Sequence, residues 1–127
     1  MKANGPQPRL TKHGAALRKF ALSLPDAHED FPWGHVAVKV GKKAFVFIAA
    51  EDGATSLSAK LLHSNKTALA HPFAKPTEYG LGKHGWVTFT FARGAEPRME
   101  LLRQAILESY RAIAPNRAVK RLDAALQ

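Results

Sequence analysis

The sequence predicts an α+β fold, a mostly antiparallel sheet of about four to six strands packed by helices on one face. Three observations predict it. Segments with an apolar residue at every second position follow one another across short turns, as a meander requires. Segments with apolar residues three and four apart stand before and after that meander. The 127 residues include no cysteine and are 46% hydrophobic, enough for one core without disulfides or a thiolate zinc site.

Residues 1–9, with Gly5, Pro6 and Pro8, have the composition of a flexible tail, and one domain is expected over residues 10–127. Leu10, Leu17, Phe20, Ala21 and Leu24 recur at helical spacing, with Thr11 as N-cap and Pro25 as the stop. The next stretch, PDAHEDFPWGH, fits neither the helix nor the strand template and reads as a structured loop. Val36, Val38 and Val40 alternate with Ala37 and Lys39, GKK makes a turn, and AFVFIAA follows, which together predict a β-hairpin. Both parities of that second strand are apolar, so it is expected to be central and more fully covered than its partner. After an EDG turn, Leu57, Ala59 and Leu61 alternate with Ser56, Ser58 and Lys60 in a third strand.

Ser64 is the expected N-cap of a short helix that Pro72 stops. The stretch PFAKPTEYGLGKHG is too rich in proline and glycine for regular structure, and it leads into WVTFTFAR, a strand with Val87, Phe89 and Phe91 facing the core and Trp86, Thr88 and Thr90 facing away. Pro97 suits the first position of the longest helix, whose stripe is Met99, Leu102, Ile106, Tyr110 and Ile113. A last helix, with Asn116 as cap, carries Val119, Leu122 and Leu126.

Lys and Arg number 19 against 10 Asp and Glu, a formal charge of +9 that draws polyanions to the surface. The longest apolar stretch, Ala44 to Ala50, is far short of the roughly 20 residues that span a bilayer, and no apolar run of signal-peptide length opens the chain. A cytoplasmic protein with no membrane partner is therefore expected, with a monomer favoured.

The glycines of GLGKHG, around Lys83, do not make a Walker loop. Thr77 stands where that motif needs glycine and His84 where it needs Ser or Thr, so a tight turn is expected. His28, Glu29, Asp30 and His35 lie close in sequence without the spacing of a metal motif, and no metal or cofactor is expected. No GxSxG or SxxK sequence is present, and the acids are scattered, so no catalytic residue is assigned.

The basic residues are better organised. Lys39 and Lys60 stand on the outward parity of their strands, Lys42 and Lys43 sit in the hairpin turn, Lys83 precedes the last strand and Arg93 ends it. These six are the expected phosphate contacts of a basic sheet face. Trp86 shares that parity but is expected to be buried under a helix or the 72–85 loop, as tryptophan usually is. Arg111, Arg117, Lys120 and Arg121 read as a solvated helix face.

LPDAHEDFPWGHVAVKVGKKAFVFIA, LSAKL, PTEYGLGKHGWVTFTF and LLRQAILESYRAIAPNR occur in that order, and over about residues 10–124 the chain thereby resembles the MmcQ/YjbR-like family, small bacterial proteins related to the CyaY-like fold. The motifs that carry the resemblance are Leu24-Pro25, the hairpin Val40–Phe45, Lys60, the loop Tyr79–Gly82 leading to Gly85–Val87, and the Ser109-Tyr110 pair. The resemblance implies an α+β fold and, by likeness to double-wing proteins, DNA binding. It implies no catalytic residues. Frataxin-type relatives of the fold bind iron through an acidic surface, whereas the first helix here carries Lys12, Arg18 and Lys19 and no acid.

The leading expectation is a nucleic-acid-binding module for DNA or RNA with weak sequence preference, since neither a recognition helix nor an arginine array is evident. The alternative is a small-molecule or anion-binding protein with its site at two aromatic and histidine-bearing loops, through Trp33, His35, Tyr79 and His84. An acidic protein partner would need the same positive surface as the first. A concave pocket joining the two loops favours the alternative, and a flat basic sheet face favours nucleic acid.

Overall fold

The computed structural model of the protein describes residues 7–126; of the tail expected over residues 1–9, residues 1–6 lie outside the described part. The first helix, α1 (Lys12–Leu22), begins where expected. Thr11 has extended backbone and its Oγ1 accepts the Gly14 N–H at 3.0 Å, relieving one of the unpaired donors of the first turn. The same hydroxyl lies 2.6 Å from Thr55 Oγ1 and ties the helix to the sheet.

The segment expected as a loop after α1 contains a strand, β1 (Ala27–Asp30), antiparallel to β2 (Val36–Val40). A short edge strand needs only one neighbour and tolerates polar residues on both parities, so HED carries no alternation to reveal it. Strands β3 (Lys43–Glu51) and β4 (Ala54–Lys60) complete the predicted meander. A short helix, α2 (Asn65–Leu69), leads to a second unforeseen edge strand, β5 (Ala74–Pro76), inside the stretch expected to be irregular; its proline stands at the strand end on the sheet edge, where a missing N–H is tolerated. Then come β6 (Trp86–Phe91), α3 (Met99–Ile113) and α4 (Asn116–Ala125).

The six strands form one antiparallel sheet in the order β1-β2-β3-β4-β6-β5. Helices α1 and α3 cover one face, where Leu17, Val38, Ile48, Leu57, Phe89 and Ile106 are buried. Val87, Phe89 and Phe91 face this core as their parity predicts. The α+β architecture with helices on one face is the one the patterning predicts.

Strand β3 is central but not more covered than β2, whose residues are all buried except half-buried Lys39. Its second apolar parity has a different cause. The register shifts between Val38 and Lys39, which pair with Val46 and Ala44, so Phe45 is the extra residue of a bulge. Phe45 and Val46 are thereby both fully buried, while Phe47 turns to the open face and is half-buried. Three caps also differ from expectation. Pro97 precedes α3 by two residues with Arg98 as N-cap, Pro115 rather than Asn116 caps α4, and Ser64 occupies the N-cap of α2 without a side-chain capping bond.

Candidate nucleic-acid interface

Alternation along the strands sends every second side chain to the face away from the helices. The register aligns Ala37, Phe47, Ser58, Thr88 and Lys75 in one row across the sheet, with Ala49, Ser56 and Thr90 in the next. Hydroxyls link across it, Ser58 Oγ to Thr88 Oγ1 at 2.8 Å and Thr88 Oγ1 to Thr77 Oγ1 at 2.9 Å. Lys60 pairs with Trp86 on the same face.

Both expected outward lysines, Lys39 and Lys60, are on this face. Trp86 joins them but is only 7% exposed, as expected of a tryptophan there. Its ring lies 5.5 Å from that of Phe47, and its backbone is held by Leu81 and Thr77 of the 77–85 loop. Lys39 Nζ is engaged by Asp30 Oδ2 at 2.9 Å.

The antiparallel arrangement brings the end of β2, the start of β3, the end of β4 and the start of β6 to one end of the sheet. Lys42 and Lys43 in the hairpin, Lys60 at the end of β4, and Lys83 in a 3₁₀ turn before β6 collect there. None of these four pairs with a carboxylate among the described residues. Glu108 reaches this end from α3 but is committed: its carboxylate accepts the N–H groups of His63 and Ser64 at 2.8 and 3.0 Å and the Ser64 hydroxyl at 2.6 Å. Burial pushes its pKa up, and these hydrogen bonds outweigh that effect and hold it below the ordinary carboxylate value.

Arg93 is not part of this cluster. It follows β6 at the opposite end of the sheet, where its Nε donates to the Asp52 carbonyl at 3.2 Å. Parity could place it on a strand end but not say which end, because that depends on how the strands pair. The Arg111, Arg117, Lys120 and Arg121 group lies on the C-terminal helices, with Arg111 paired to Asp123 and Arg121 to Asp26.

Between the Tyr79 loop and the β3–β4 turn the open face is concave, with a volume of about 940 Å³. Phe47, Ser56, Ser58, Thr88 and Thr90 make its floor. One lip is the turn at Gly34 and His35 with Glu51 and Asp52, and the other is Thr77, Glu78, Tyr79 and Leu81. The concavity thus joins the His35 turn to the Tyr79 loop. His84 is exposed in the 3₁₀ turn and does not line it, and the Trp33 side chain lies outside the described part. Tyr79 is 97% exposed and has a φ of 60°. The hydroxyl floor was not singled out from sequence as a site, although the outward Ser and Thr of two strands were its signal.

His28, Glu29 and Asp30 separate for the reason β strands separate neighbours. Glu29 faces the helices and takes both Nε and Nη2 of Arg18, at 2.7 and 2.5 Å, and chiefly through that bond the guanidinium pKa is raised. Asp30 turns to Lys39, and His28 Nε2 lies 2.9 Å from the Gly41 carbonyl. Among the described residues no three His, Asp or Glu side chains converge as a metal site requires.

A family model described as YjbR matches residues 22–112, from the end of α1 to the end of α3 and including the whole sheet. No curated protein matches the chain. No helix among the described residues is long and apolar enough to cross a membrane.

Proposed function

The chain belongs to the YjbR family, and from that premise we propose that it is a cytoplasmic nucleic-acid-binding protein that grips phosphates with the lysine-rich end of its sheet. The observation that carries the reading is the gathering of Lys42, Lys43, Lys60 and Lys83 at one end without carboxylate partners among the described residues, in a chain of charge +9. Ammonium groups left unneutralised by the fold exchange their anions for phosphates and release condensed counterions from the nucleic acid. Contacts of this kind position a duplex or strand without reading its sequence. Helices α1 and α3 are packed against the sheet, which supports weak sequence preference.

The test is fluorescence anisotropy of labelled DNA at several salt concentrations. Four phosphate contacts give a log-log slope of about −3 to −4. Absence of binding at low salt overturns the reading.

A second reading has one observation in its favour: the concavity joins two of the loops that the small-molecule alternative invokes, through His35 and Tyr79. A compound that raises the Tm of the protein, and no longer does so in Ser58→Leu, would favour it.

A further inference from the structure

We infer that the form of nucleic acid this protein takes is single-stranded, with one unstacked base seated on the Tyr79 ring and its neighbouring phosphate on Lys83. The inference rests on the nucleic-acid reading above and names the partner of the same sheet face.

Tyr79 is held where nothing in the described chain covers it, 97% exposed, and it is held there by a backbone that an L-residue avoids. Its φ is 60° and that of Gly80 is 80°, two successive left-handed residues that turn the loop tip outward. A bulky aromatic in that conformation is uncommon, and such outliers concentrate at sites that bind. Lys83 runs alongside the tip, its Cε 3.9 Å from where a side chain at Gly80 would begin. Lys83 thus lies beside the residue that follows Tyr79, so one loop carries both a ring on which a base can stack and an ammonium for a phosphate.

The concavity beside Tyr79 selects the form. Its five floor residues lie on β3, β4 and β6, two inter-strand steps or about 10 Å, and the lining reaches on to Lys75 of β5 and to the His35 turn before β2. A B-form duplex keeps its bases paired and stacked with their edges recessed in the grooves, and so lays none of them on the Tyr79 ring or edge-on to this floor. A splayed base reaches both. Phe47 offers a face, and the hydroxyls of Ser58 and Thr88 offer both donors and acceptors to a base edge. Glu51 and Asp52 repel phosphate at the far end and accept from exocyclic amines, and Lys75 of the lining is engaged by Glu78 at 3.7 Å, so the bases enter the concavity while the backbone stays on the lysine side.

The experiment compares short labelled single-stranded DNA, single-stranded RNA and duplex DNA of one sequence by anisotropy at matched salt, for the protein and for Tyr79→Ala and Tyr79→Phe. The expected result is tighter binding of the single strands, a loss of about tenfold in Tyr79→Ala, retention in Tyr79→Phe, and a duplex affinity that Tyr79→Ala leaves unchanged. RNA binding tighter than DNA would point to a further contact with the 2′-hydroxyl and supports the inference equally. A duplex bound as tightly as the single strands, or single strands indifferent to Tyr79→Ala, overturns the inference and leaves the broader reading standing. No binding of any form at low salt overturns both.

Discussion

Ser109 of α3 donates its hydroxyl to the Phe45 carbonyl of β3 at 2.5 Å and is itself fully buried. It also accepts the Lys60 N–H at 2.8 Å. The β3–β4 ladder stops at Val46 and Ala59, and Phe45 and Lys60 are the residues that would have paired next. The bulge removes that pair and the serine satisfies both orphaned groups, in addition to fixing α3 over the sheet. Ser109→Ala leaves a buried carbonyl and a part-buried N–H without partners, and is expected to cost about 2–3 kcal/mol in urea unfolding at neutral pH. A loss below about 0.5 kcal/mol would show that the bulge is satisfied some other way.

The next residue anchors the other end of the contact. Tyr110 Oη donates to the Pro25 carbonyl at 2.8 Å, and its ring meets Phe45 edge-on at 5.2 Å. Burial chiefly, with the charge of Asp26 adding and that of Arg121 opposing, raises its pKa above the ordinary 10.0. A phenol harder to ionise in the folded than in the unfolded state contributes stability that is complete below pH 10.0 and is lost as pH rises through the folded value. Tyr110→Phe is expected to be about 1 kcal/mol less stable at pH 7. Its stability falls less than that of the parent above pH 10.0, so the two denaturation midpoints converge there.

Glu108 stands in for the missing cap of α2. Ser64 has the N-cap position that its sequence predicts, but its hydroxyl donates to Glu108, and that carboxylate takes the His63 and Ser64 N–H groups. Its burial raises the pKa, and the hydrogen bonds lower it by more, for a net value below the usual 4.5. The sign follows: the stabilisation is present above 4.5 and is lost as pH falls through the folded value. Glu108→Gln is expected to lose about 1 kcal/mol at pH 7 and to match the parent in strongly acidic solution. A difference that persists unchanged at low pH would mean that packing, not charge, holds α2.

The meander, the helices and the outward lysines were legible because each follows from a period, two for Lys39 and Lys60 and about three and a half for Leu102, Ile106 and Tyr110. Edge strands β1 and β5 were not, since HED and AKP pair with one neighbour and show no period. The bulge was hidden for another reason: the apolar run from Ala44 to Ala50 suits either a strand covered on both faces or a strand whose parity slips at Phe45, and only the pairing partner decides. The same holds for Arg93, whose distance from the lysines is a property of strand order, and for the concavity, which exists because loops far apart in sequence rise on either side of one hydroxyl-bearing floor.

The lysine end makes the most direct prediction about binding. Lys42 in the hairpin turn and Lys43 at the start of β3 are exposed and without carboxylate partners among the described residues. Replacing both with Glu turns two phosphate contacts into two repulsions, so affinity is expected to fall alike on all sequences, with a salt slope shallower by about 2. Arg93→Glu is the control from the opposite end of the sheet and is expected to leave the slope unchanged. Lys39→Ala should fall between them, because its ammonium is already engaged by Asp30 and contributes less of its charge to a phosphate. If Arg93→Glu weakens binding as much as the hairpin pair, the protein answers only to its net charge and the lysine end is not the interface. If the hairpin pair alone matters, the field is local, and its location follows from four strand ends brought together by antiparallel pairing.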